Sequence, residues 1–253
     1  RAAGPAGSYL ADPFLIMRDG ALYVFFERYD LSAGRGAIGV ARVENGRFNL
    51  LGDALAPDIH LSYPFVFEHE GAVYMIPETV ARRRVEVWRA TDFPLRWTLA
   101  ATALEGVAAV DTTLLRRDDA WWVFVNRADG GVADGSTLLD LYRADSPLLG
   151  RLRPHRKNPV VIDARRARNG GRPFQKNGRL FRPAQHNAAS VYGYALNLME
   201  IVALDDHRYE ERLVRTIVGC HHLDVVGDRY VFDIRRDGGR ADFGKLGSFE
   251  GGS

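Results

Sequence analysis

A hairpin pattern that recurs five times constrains this chain more than any other feature. Asp12 to Glu27 reads DPFLIMRDGALYVFFE, Tyr63 to Glu78 reads YPFVFEHEGAVYMIPE, and Asp111 to Asn126 reads DTTLLRRDDAWWVFVN. Each is a short apolar strand, a polar turn and a second strand rich in aromatic and β-branched residues, the pattern of a β-hairpin. The first and last residues lie 15 positions apart in all three. Arg172 to Gln185 (RPFQKNGRLFRPAQ) and His222 to Asp233 (HLDVVGDRYVFD) repeat the pattern with a shortened first strand. Starts at 12, 63, 111, 172 and 222 give a period of roughly 50 residues, the scale of one four-stranded propeller blade. The alternating segments VEVWRATD (85–92) and LDLYRAD (139–145) supply further half-buried strands. Helical periodicity is nearly absent. The expected fold is all-β, a single five-bladed β-propeller over residues 1–240 with a Gly-rich flexible tail over 241–253. The outer strands of the fifth unit are expected to be short, missing or supplied by the N-terminal stretch.

Bulk properties remove several function classes. The 34 basic and 32 acidic residues leave a net charge of +2, so no global field points to nucleic acid. Cys220 is the single cysteine, which rules out an internal disulfide and favours a reducing, cytoplasmic compartment. No apolar run approaches the ~18 residues of a membrane-spanning helix, and the opening RAAGPAGSYL lacks the layout of a secretory signal. Phosphate-loop, C-x-x-C, H-E-x-x-H and G-x-S-x-G signatures are missing, so no cofactor is expected.

The repeat itself points to a site. In a propeller the first strand of each blade lies nearest the axis, and its leading residue faces the mouth. Asp12, Tyr63, Asp111, Arg172 and His222 hold that phase, and none is aliphatic. Polar groups brought together in this way are a ligand-site candidate, because packing alone would select apolar residues. The second strands end on Glu27, Glu78, Asn126, Gln185 and Asp233. Glu27, Asn126 and Asp233 read as groups that cap strand ends, whereas Glu78 and Gln185 also suit the mouth. In the basic stretch from Pro154 to Arg172, Arg156, Arg165 and Arg166 read as solvated loop charges. Arg172 and Arg182 lie in the repeat and are expected to face the mouth, where their planar forks would suit an anionic glycan. Tyr63 and Tyr192 are the candidates for stacking on a sugar ring. His221 and His222 are adjacent on one strand, so only one should point inward, and no metal site is expected.

The opening ADPFLIMRDGALYVFFE resembles the first blade of glycoside hydrolase family 43, the five-bladed arabinofuranosidases and xylosidases. That resemblance implies a general-base role for Asp12. The family starts its second blade with Asp and its third with a Glu acid, where this chain has Tyr63 and Asp111, so the family's full set is not reproduced. A longer resemblance runs through LSYPFVFEHEGAVYMIPET, HRKNPVVIDARRARNGGRPF, GRLFRPAQ, YGYALNLMEI and HHLD. These stretches are similar to the N-terminal propeller domain of plant glucosamine inositolphosphorylceramide transferases and of bacterial formyltransferase-like proteins. This implies a glycan or glycolipid-headgroup ligand and a fused or partner transferase. Two functions remain open. One is a hydrolase-like or transglycosylating enzyme using Asp12 as base and Asp111 or Glu78 as acid. The other is a non-catalytic glycan-binding domain serving a transferase.

Overall fold

A computed structural model describes residues 4–130, 134–187, 193–235, 241–243 and 247–248. Its strands form five sheets. The first contains β1 (Ser8–Arg18), β2 (Ala21–Asp30), β3 (Arg35–Glu44) and β4 (Arg47–Leu55) in chain order. The second contains β5 (Ser62–His69), β6 (Ala72–Glu78), β7 (Val85–Asp92) and β8 (Arg96–Ala103). The third is built from β9 (Ala109–Arg117), β10 (Ala120–Arg127), β11 (Leu138–Ala144) and β12 (Leu152–Pro154), with β13 (Val161–Ile162) also on β11. The fourth is β14 (Phe174–Lys176), β15 (Arg179–His186), β16 (Ala195–Leu204) and β17 (Tyr209–Val218). The fifth is β18 (Cys220–Val226), β19 (Arg229–Arg235), β20 (Ala241–Phe243) and β21 (Gly247–Ser248). A 3-10 turn at Val80–Arg82 is the one helical element among the described residues. The segment expected to be a tail thus carries two short strands that pair with β19 and complete the fifth sheet.

The turns show why these hairpins form. Asp19-Gly20, Glu70-Gly71 and Asn177-Gly178 all take positive φ at both positions, the geometry that matches the twist of paired strands. The cores lie between neighbouring sheets. Phe14 and Phe25 of the first sheet pack with Phe65 and Met75 of the second, and Leu114 and Val123 of the third join the same cluster. Phe124 and Leu141 meet Ile201 and Tyr209 across the third and fourth sheets. Phe174 and Leu196 meet Leu223 and Val225 across the fourth and fifth. Val231 returns to Leu10 and Val24, which closes the ring. Each such buried side chain contributes about 1.5–3 kcal/mol, and the contribution is available only once the neighbouring blade is in place. The result is an all-β propeller whose inner strands β1, β5, β9 and β18 run in the same sense along the axis.

A bulge interrupts each of these inner strands near its start. The pairing register shifts between Ala11 and Phe14, between Ser62 and Phe65, opposite Phe124 and Asn126 for β9, and between Cys220 and Leu223. Asp12, Tyr63 and Asp111 occupy the bulges with φ of 50°, 47° and 48°. A bulge frees one residue from the ladder and re-aims its side chain, so the leading residues of three blades turn toward the axis together.

Candidate functional site

The floor at the leading ends of the inner strands is rich in buried carboxyl groups. Asp12, Glu27, Glu78, Asp111 and Asp233 are all buried. Two cationic groups sit among them. Arg168 Nε donates to Asp111 Oδ2 at 2.6 Å, and its Nη2 lies 3.9 Å from Glu78 Oε2. His221 Nδ1 lies 2.9 Å from Asp233 Oδ2 and 3.5 Å from Asp12 Oδ1. Gln185 Nε2 donates to Asp111 Oδ2 at 3.2 Å and to the Asn169 carbonyl, so it orients Asp111. Asp233 accepts backbone N–H bonds from Asp12, His221 and His222. It therefore ties the bulges of the first and fifth blades to each other.

The surroundings set different protonation states. Burial pushes the Asp12 carboxyl up to about 7; His221 opposes the rise, and Asp111 and Asp233 add to it. Glu78 is held well above the usual carboxylate range by burial and by Asp111, with which it shares a hydrogen bond, against the charge of Arg168. Burial, with Asp12 and Glu78 as neighbours, raises Glu27 in the same way. Asp233 lies below the ordinary range: burial works against its charge, but His221 more than offsets it. Burial alone would lower His221, yet Asp233 and Asp12 raise it to about 9. Burial lowers His222 to about 3. At neutral pH the floor holds an ionised Asp233–His221 pair and an Asp12 near its midpoint, with Glu78 biased toward its protonated form. Asp12 Oδ1 and Glu78 Oε2 have no hydrogen-bond partner among the described residues. Buried polar atoms of this kind call for an occupant. Asp12, His221 and Asp233 also offer three ligand atoms within 4.8 Å of one another, the donor set here that could hold a metal ion.

Asp12, Asp111 and Glu78 do come together on this floor, but other expected site residues behave differently. Tyr63 is 0% exposed. Its hydroxyl donates to the Gly171 carbonyl and accepts from the Gly171 N–H, and its ring edge meets Phe14 and His222. It locks two blades and has no face for a sugar. Gly171 (φ 140°) passes so close to the Leu223 carbonyl that a Cβ there would collide with it. Arg182 is likewise 0% exposed. It pairs with Glu211 through Nε and Nη2, and the Arg166 carbonyl and Asn169 Oδ1 take further bonds, so it cannot reach a ligand. Arg172 pairs with Asp224 at 2.9 Å and donates to the Val66 carbonyl. It lines a cavity at the trailing ends of the inner strands, away from the carboxyl floor. His222 packs edge-on against Phe14 with ring centroids 4.5 Å apart and is fully buried. Tyr192 lies outside the described residues.

Arg168 and His221 are the cationic residues of the floor that simple phasing missed. In the fifth blade the bulge spans His221 and His222, so His221 holds the position of Asp12. Alternation fails across a bulge, and both rings approach Asp12 Oδ1, at 3.5 and 3.6 Å. In the fourth blade, Asn169 bridges to Ala184 while Phe174 pairs with Phe181. Four residues on the inner side (170–173) thus face two on the partner (182 and 183), which places Arg168 at the carboxyl floor and Arg172 at the far end. The Asn169-Gly170-Gly171 run was the available signal.

The fold is a five-sheet β-propeller, and the solved structures it resembles share that fold. A family 117 glycoside hydrolase from Zobellia galactanivorans superposes with a TM-score of 0.70 at 13% identity, covering 97% of this chain and 88% of that one. The β-xylosidase RS223 gives 0.68 at 12% identity, covering 96% and 92%. A GH43_1 enzyme from Xanthomonas citri complexed with xylose gives 0.64 at 14%, covering 98% and 89%. Sequence similarity is more specific. Residues 1–224 match the family "Glucosamine inositolphosphorylceramide transferase 1, N-terminal", and the chain belongs to that family. Glucosamine inositolphosphorylceramide transferase 1 of Oryza sativa subsp. japonica is 36% identical over 212 residues, and that of Arabidopsis thaliana 35% over 213. These alignments cover 82% and 83% of this chain and 28% of each relative's length.

Proposed function

We propose that the carboxyl floor is a sugar-processing site in which Glu78 donates a proton to a leaving oxygen and Asp12 acts as the base. Two buried carboxyl groups that each have one oxygen accepting no hydrogen bond among the described residues, Asp12 Oδ1 and Glu78 Oε2, carry this reading. A glycosidic transfer needs one protonated and one ionisable carboxyl group at the same place. Glu78, raised well above the usual carboxylate range, and Asp12, poised at about 7, meet that requirement. Asp111, fixed by Arg168 and Gln185, favours the protonated form of Glu78 by its charge and by their shared hydrogen bond. The anionic ligand expected from Arg172 and Arg182 has no place in this reading, because both arginines are paired internally and Arg172 lines the opposite end. Five carboxyl groups against Arg168 and His221 suit a neutral or aminated sugar instead. The relatives' name includes glucosamine, an amino sugar.

A second reading is a glycan-holding domain for a transferase. It is favoured by the 28% of the relatives' length that this chain matches. One experiment separates the two. The purified chain is assayed against aryl and inositol-linked glycosides, including glucosaminides, with binding followed in parallel. General acid–base catalysis predicts that Asp12→Asn and Glu78→Gln each lose about 10²- to 10⁴-fold in turnover while still binding. Saturable binding without turnover, weakened by both substitutions, supports the holding role. Full turnover by Asp12→Asn would overturn the assigned base.

A further inference from the structure

The inner strands have a second common end, and a cavity of about 350 Å³ opens there. Its walls come from the trailing residues of the same strands that carry the carboxyl floor at their leading ends. Leu15 and Met17 of β1, Phe65 and Phe67 of β5, Leu114 of β9 and Val226 of β18 line it. Five residues separate Asp12 from Met17, and at ~3.3 Å per residue the two ends lie about 16 Å apart. The cavity is therefore distinct from the proposed sugar site and stands whether or not that site processes a sugar.

Two guanidinium groups give this cavity its character. Arg172 forms part of the wall, 18% exposed, with its charge centre 4.8 Å from the Phe65 ring and 5.8 Å from Phe14. Nε is held by Asp224, and Nη2 by the Val66 and Leu15 carbonyls. Nη1 makes no hydrogen bond among the described residues. A guanidinium clamped on two sides and stacked on a ring offers its remaining edge with little further loss of freedom. Arg116 lies over the Trp121 ring at 5.9 Å, and both line the cavity. Glu68 is the acidic group of the lining, and it lies 3.4 Å from Arg18. The lining thus combines an apolar interior, an aromatic wall and two guanidinium groups. Small-ligand sites have this composition: a mainly apolar cleft of a few hundred Å³ with a small number of polar groups that fix orientation.

We propose that this far-end cavity binds a small amphipathic carboxylate, with its apolar body against Phe65, Phe67 and Leu114 and its carboxylate between Arg172 and Arg116. The test uses 3-phenylpropionate as probe on the whole chain, by calorimetry and by Trp fluorescence. The uncharged 3-phenylpropanol and the ringless propionate serve as comparisons. The expected result is saturable 3-phenylpropionate binding at least roughly tenfold tighter than the alcohol, since a charge-assisted pair is worth that factor or more, and at least roughly tenfold tighter than propionate, since burying the ring is worth as much. Arg116→Gln should weaken it about tenfold, and Met17→Trp, which fills the rim, should abolish it. Neither substitution touches the folded core around Arg172, so both variants should remain folded. Asp12→Asn should leave probe binding unchanged even if the sugar-site reading fails. Absence of saturable binding to the wild type, equal binding of the alcohol, or binding indifferent to both Arg116→Gln and Met17→Trp would each overturn the proposal.

Discussion

His221→Gln should flatten the dependence of stability on pH above neutrality. His221 is buried beside Asp233 and Asp12, and its pKa rises from 6.5 to about 9 on folding. A group whose folded pKa is raised binds its proton more tightly in the native state. Its contribution is therefore complete below the unfolded pKa and is lost as pH climbs through the folded one. With these two values, linkage gives about 3 kcal/mol at pH 6.5 and about 1 kcal/mol at pH 8.5, a loss of about 2 kcal/mol across the window. Asp12, raised to about 7, changes stability in the same direction, but its contribution ends near neutrality. His222, lowered to about 3, acts in the opposite sense and only below its unfolded pKa of 6.5. Glu27 and Glu78, raised by burial, act in the same direction in both proteins, so the difference between wild type and variant above pH 6.5 reports His221. Urea unfolding of wild type and His221→Gln at pH 6.5, 7.5 and 8.5 is the assay. The wild type should lose about 2 kcal/mol more than the variant over that range. Parallel stability curves for the two proteins would refute the ion pair with Asp233.

Two other outcomes follow from the buried charges. Glu211→Gln leaves the fully buried Arg182 charge without its partner carboxylate, and should cost about 3–5 kcal/mol, read as a fall in the calorimetric midpoint of roughly 10 °C. For any glycoside the chain turns over, kcat/KM should rise with pH through about 7 as Asp12 ionises, then fall as Glu78 loses its proton. Because the Arg168 charge lowers Glu78, Arg168→Gln should move that falling limb to higher pH.

The propeller was legible because its information is local and repeated. Turn pairs such as Asp19-Gly20 and Asn177-Gly178 and the spacing of each hairpin mark the blades directly. The carboxyl floor was legible to the same extent: Asp12, Asp111 and Glu78 hold equivalent ends of three regular hairpins, and the structure brings all three together. Where the repeat was irregular, phasing by sequence failed. The extra inner residues around Gly170 and Gly171 moved Arg172 to the far end and brought Arg168 in. In the fifth blade a one-residue offset exchanged the roles of His221 and His222. Arg182 and Tyr63 illustrate a different gap. Both hold repeat positions, yet a residue's phase does not say whether a partner such as Glu211 or Gly171 already satisfies it.

Tyr63 also bears on how the site should be interpreted. Its left-handed φ of 47° matches those of Asp12 and Asp111 and is costly for a bulky residue, of order 1–3 kcal/mol. Yet Tyr63 spends its hydroxyl on Gly171 and is sealed from solvent. The strained bulge therefore belongs to the fold, as the way an inner strand turns its first residue to the axis, and strain alone does not mark a catalytic group. The chemistry carried by the bulge is what differs between blades. At Tyr63 the shared geometry closes a blade contact with its hydroxyl paired to Gly171. At Asp12 the same geometry buries a carboxyl group, raises it to about 7 and leaves Oδ1 with no hydrogen bond among the described residues. Packing gains nothing from that arrangement, since an apolar residue in the same bulge would avoid the desolvation cost. A function that needs an ionisable carboxyl group at the axis accounts for Asp12 and, by the same comparison, for Glu78, but not for Tyr63.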